Sequence, residues 1–141
     1  MVRRRALQAA AWYFTLVFAA GFALALVRVP FLVPRIGERW AELVEMPVML
    51  AVIVLAARFI VRRFDLQTRA GYLTAGAGAL VLLLAAEAFV AMAMRGLELV
   101  DYLASRDPVS GTVYVVMLMA FAAMPAIVAG VRAGDRRRGT R

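Results

Sequence analysis

Apolar positions gather into four long runs separated by short polar stretches. The runs cover about residues 6–27, 40–61, 68–94 and 108–131, each at least 22 residues long. Roughly 20 apolar helical residues cross a bilayer, so each run predicts a transmembrane helix with room for some tilt. The pattern therefore predicts an all-α polytopic membrane protein, a four-transmembrane-helix bundle with short interfacial segments on its outer side. No repeat or low-complexity linker interrupts it, and a single domain over 1–141 is expected.

Two of the polar stretches have a pattern of their own. Residues 28–39 hold Pro30, Pro34 and Gly37 between apolar residues, which predicts a tight, bent interfacial segment leading to Trp40 at headgroup level. In 96–104, Leu97, Val100 and Leu103 recur at helical spacing, with Glu98 and Asp101 on another face. That spacing predicts a short amphipathic helix on the membrane, or an extension of the third run. Asp107-Pro108 then reads as a helix start, with Asp as the cap and Pro at the first position.

Charge gives the runs a direction. All 17 basic residues are Arg. Eleven lie in the N-terminal stretch, the second loop and the C-terminal stretch, and five lie in the first and third loops; Arg58 sits one turn before Arg62. The excess predicts cytoplasmic termini, N-in and C-in, in a bacterial inner membrane. Arg3-Arg4-Arg5 followed by an apolar stretch and Ala23-Leu24-Ala25 also resembles a cleavable signal peptide, but the apolar stretch is longer than such a segment needs. The formal net charge of +8 does not point to nucleic acid, because the Arg residues cluster at the ends of apolar runs.

Composition removes several chemistries. Apolar residues make up 65% of the chain, and it contains no Lys, His, Cys or Asn. A Lys Schiff base is excluded, the usual haem, zinc and copper ligands are missing, and thiol exchange is impossible. No cofactor is expected. An enzyme is the weakest reading, since no nucleophile–base pair is visible.

Acids at membrane depth are the best candidates for function, because a carboxylate there is costly unless paired, wet or neutral. Glu38 and Glu42 fall in the first turns of the second run, where they complement the helix dipole. Glu45 lies roughly 7–8 Å below Trp40, at 1.5 Å per residue. It is followed by Pro47, which leaves the Leu43 carbonyl without its helical donor. Glu87 lies eight residues before Arg95, so roughly 12 Å inside that end. Its neighbours Ala85, Ala86, Ala88, Phe89 and Val90 give it no partner, so the partner comes from another helix. Arg28 is the preferred partner, and Tyr114 and Thr112 are the alternatives. Arg35 and Arg106 would stand with Glu42 at the mouth of the resulting polar site. Such an ion pair would serve either to fix helix order or to bind or move something.

Small residues crowd the first and third runs, including Ala9, Ala10, Gly71, Ala75, Gly76, Gly78 and Ala79. They predict close helix packing within the bundle, with a dimer seam as the alternative. The methionines read as adaptable filler, and Pro125 predicts a bend in the fourth run.

The segments Arg28 to Leu50 (RVPFLVPRIGERWAELVEMPVML) and Tyr102 to Tyr114 (YLASRDPVSGTVY) resemble small bacterial inner-membrane proteins with four helices and no assigned function. That resemblance implies the fold and no activity. Arg39, Glu45 and Pro47 loosely resemble the acid-then-Pro pattern of the membrane-associated eicosanoid and glutathione metabolism family. This chain lacks that pattern's Asn, and its charge bias places the segment outside. Small multidrug exporters are similar in size, but they carry their essential acid in helix one, where this chain has none.

Three functions are expected in order. The first is a non-enzymatic membrane protein that binds a lipid or small amphiphile in an outer-leaflet polar cavity, or acts as an accessory subunit of a membrane complex. The second is a dimeric proton- or cation-coupled transporter with Glu87 as the titrating group. The third is a membrane-embedded transferase. Expected partners are membrane lipid and a homodimer or larger membrane complex.

Overall fold

The computed structural model describes residues 2–95 and 107–139. Over these residues the chain is all-helical. Helix α1 spans Val2–Val27, a five-residue π-helical segment spans Arg28–Leu32, and α2 spans Val33–Ile36. Helix α3 spans Glu38–Phe64, α4 spans Arg69–Arg95, and α5 spans Pro108–Arg138. Four of these stretches are long and apolar enough to cross a membrane: Arg3–Ile36, Glu38–Phe64, Arg69–Ala93 and Pro108–Arg138.

The first polar stretch departs from expectation. It is helical rather than a bent loop, and the break falls on one residue, Gly37 (φ 80°, ψ 163°). Pro30 lacks an N–H donor, and the wider π turn accommodates that loss without ending the helix, while Pro34 falls in the first turn of α2, where its missing donor costs little. Gly37 takes a positive φ that a side chain would disfavour, and α3 begins at the next residue. The fourth helix also runs past the expected end at 131, to Arg138. The amphipathic helix expected over 96–104 lies outside the described residues.

Other ends follow local chemistry. The turn after α3 uses Asp65 (φ 38°) and Gln67 (φ 59°) in left-handed conformations, with Leu66 buried between them. The Leu66 N–H donates to the Tyr72 hydroxyl oxygen at 3.1 Å, and the Gly71 N–H donates to Thr68 Oγ1 at 3.1 Å. Asp107 caps α5 by accepting from the Val109 and Ser110 amides, at 3.1 Å each. Arg132 of α5 donates to the carbonyl of Val61, near the end of α3, at 3.3 Å.

The long helices pack side by side. Helix α1 lies against α3 and α4, and α5 lies against the same two. Small residues make this close: Ala9, Ala10, Ala57, Ala75 and Ala79 are buried at the crossings. A Cβ built on Gly76 would overlap the Ala122 carbonyl oxygen, so α4 and α5 approach backbone to backbone there. At the centre the Tyr13 ring stacks on Phe121, with centroids 4.5 Å apart and planes 11° from parallel. The buried Tyr13 hydroxyl donates to the Phe121 carbonyl at 2.8 Å. That carbonyl lies four residues before Pro125, so the helix itself has no N–H to offer it. Around this core the outward faces remain apolar, with Trp12, Leu55, Val81, Phe89 and Met119 exposed.

Candidate functional site

The turn through the π segment and Gly37 brings the start of α3 back beside Arg28. Two acids there, Glu42 and Glu45, are three residues apart and so share one helix face. Arg28 lies between them: Nη1 stands 3.4 Å from Glu42 Oε1, and Nε stands 3.2 Å from Glu45 Oε2. The side chains are 24% exposed for Arg28 and 15% for each acid, so the group is largely but not fully sheltered. One guanidinium serves two carboxylates, which leaves the three residues with a surplus negative charge. Arg28 Nε and Glu45 Oε2 are buried, and neither has a hydrogen-bond partner. At 3.2 Å the two ions attract each other, but the N–H is not aimed at the oxygen, so this contact is a charge pairing and not a formed hydrogen bond.

This arrangement corrects the expected pairing of Arg28 with Glu87. Glu87 of α4 instead accepts a hydrogen bond from the Tyr114 hydroxyl of α5. Thr112, the other alternative, donates to the Pro108 carbonyl in its own helix at 2.7 Å. The physical reason lies in the chain path. A bent loop would leave Arg28 free to reach another helix, whereas a helical turn closed at Gly37 delivers it to α3.

The remaining candidates separate. Arg35 is exposed on α2 and donates to the Phe31 carbonyl at 3.1 Å. Arg106 lies outside the described residues. Arg39, which was not among the expected site residues, donates through Nε to Asp107 Oδ1 at 2.9 Å. A second hydrogen bond runs from Arg39 Nη2 to the same oxygen. Asp107 therefore caps α5 and ties it to the start of α3. The Arg39 hydrogen bonding first, and then the Ser110 amide, holds the Asp107 carboxyl below its ordinary value of 3.8. The signal for this tie was present in the sequence as Asp107-Pro108, but the partner cation was not.

No family model, curated protein or solved structure matches this chain.

Proposed function

We propose that this chain is an integral membrane protein with cytoplasmic termini that holds a small amphiphile by its polar head, at the end where α1 turns into α3. Arg density supports the orientation: the N-terminal stretch, the turn after α3 and the C-terminal stretch carry most of the positive charge. The observation that carries the binding reading is the shared guanidinium of Arg28 between Glu42 and Glu45. A surplus carboxylate at a largely but not fully sheltered position favours a cationic head, so the amphiphile class is one bearing an ammonium group. Non-enzymatic action fits a chain with no His, Cys or Lys to serve as nucleophile or base.

Native mass spectrometry after transfer from nanodiscs tests this reading. The nanodiscs would contain phosphatidylethanolamine and phosphatidylglycerol in equal amounts. The wild type is expected to retain the ammonium lipid, and the Glu42→Gln/Glu45→Gln double variant to lose it while circular dichroism stays helical. Equal retention by the two proteins, or none by the wild type, overturns the reading.

A second reading rests on the Tyr114–Glu87 hydrogen bond. An acid inside an apolar helix that faces a hydroxyl on the next is a suitable proton-exchanging pair for a cation- or proton-coupled transporter acting as a dimer. Proteoliposomes would then acidify under a cation gradient, and Glu87→Gln would stop it. A wild type with no such flux removes this reading.

A further inference from the structure

The other end of α3 carries a second site. Leu55, Arg58, Phe59, Arg62 and Arg63 line an open groove of about 410 Å³. Their spacing places them on one face of the helix. Leu55 and Phe59 are exposed and form the apolar part of the groove, and the three guanidiniums form its charged part. Arg58 stands four residues before Arg62, so roughly 6 Å nearer the middle of the span.

These cations are not spent on the protein. Among the described residues, no salt bridge joins Arg58, Arg62 or Arg63 to an acid. Arg63 lies over the Phe64 ring, 5.9 Å from its centroid. The neighbouring Arg132 is directed instead to the Val61 carbonyl. Charge near the end of a span is enough to orient it, but orientation does not need a cation one turn inside the span. An acyl chain fits along Leu55 and Phe59, and an acidic phosphate fits between Arg58 and Arg62, whose planar forks match phosphate oxygens.

We infer that this groove binds an anionic phospholipid, with the phosphate held by Arg58 and Arg62, the rim charge supplied by Arg63, and a tail lying over Leu55 and Phe59. The groove is at the opposite end of α3 from Glu42 and Glu45 and does not depend on their ligand. It does share with the reading above the requirement that the chain sits in a bilayer, and flotation of the proteoliposomes checks that separately.

Delipidated full-length protein would be returned to phosphatidylcholine nanodiscs doped with phosphatidylglycerol, and bound lipid counted by native mass spectrometry. The wild type is expected to retain phosphatidylglycerol. Arg58→Gln/Arg62→Gln should bind it about thirtyfold more weakly, as expected for two cations removed from a lipid phosphate. Arg62→Gln/Arg63→Gln provides a second variant should the first fail to fold. Arg3→Gln/Arg4→Gln removes equal charge from the same end and should bind as the wild type does. Three results overturn the inference: equal weakening in the Arg3/Arg4 variant, equal retention of phosphatidylcholine, or displacement of the lipid by millimolar inorganic phosphate.

Discussion

Tyr13 of α1 donates its hydroxyl to the carbonyl of Phe121, the acceptor that Pro125 deprives of a donor within α5. A proline inside a span leaves such a carbonyl unsatisfied unless a neighbour supplies a proton. Tyr13→Phe should therefore destabilise the protein by about 1 kcal/mol, the scale of an interhelical hydrogen bond in a membrane. In a Pro125→Ala background the helical N–H returns, and the same Tyr13 change should have little effect. Unfolding in mixed micelles measures the coupling, and strictly additive effects would contradict it.

Gly76 and Gly78 differ sharply in what they tolerate. A methyl at Gly76 meets the Ala122 backbone, which cannot swing aside, whereas at Gly78 it meets only the Ala10 methyl, 3.2 Å away. Gly76→Ala should separate α4 from α5 and lower stability by about 1–3 kcal/mol, as overpacking does. Gly78→Ala should change it by less than half of that. Thermal unfolding of the two variants side by side reads the difference; an equal response contradicts the close approach of α4 and α5.

Removing Arg28 should harm the fold more than removing either of its acids. Arg28→Gln leaves Glu42 and Glu45 facing each other without a counter-charge. The expected loss is about 2 kcal/mol, below the roughly 3–5 kcal/mol of a fully buried broken pair because the group is partly wet. Glu42→Gln or Glu45→Gln leaves one cation against one anion and should be milder. Chemical denaturation ranks the three, and an acid variant weaker than Arg28→Gln would refute the shared-cation geometry.

The Arg39–Asp107 tie gives stability a dependence on acid. Asp107 is held below its ordinary value of 3.8 in the folded chain. Its contribution is therefore complete above pH 3.8 and is lost as pH falls from there through the folded-state value. Asp107→Asn should be less stable than the wild type at neutral pH and should converge with it in acid. A titration of the unfolding midpoint follows this, and parallel curves for the two proteins would rule it out.

The four long helices were legible because each is a long apolar run bounded by Arg, and length and hydropathy alone mark each as able to cross a membrane. The polar contacts were harder to read. Pro30 and Pro34 look like helix breakers, yet the chain passes Pro30 in a π turn and takes Pro34 in the first turn of α2, so Arg28 points at α3 rather than at Glu87. Tyr13, in an Ala-rich helix, reads as one more apolar residue. The signal that could have found its role was Pro125, since its missing N–H requires a donor from elsewhere. Tyr114 was within reach of sequence reasoning as a partner for Glu87, because both lie on spans and both need a polar neighbour. The turn at 65–68 carries no glycine before Gly71, so its left-handed Asp65 and Gln67 left no mark in the sequence.

Only Gly37 stands outside helix between Val2 and Phe64. The first two long helices are thus a hairpin with almost no slack, and Arg28, Glu42 and Glu45 all belong to it. Their pairing closes over 17 residues at most, a short loop with a small entropic cost. This electrostatic latch needs only residues up to Glu45, whereas the Tyr114–Glu87 hydrogen bond joins the last two long helices. A one-residue insertion beside Gly37 would throw the latch out of phase while leaving every span intact.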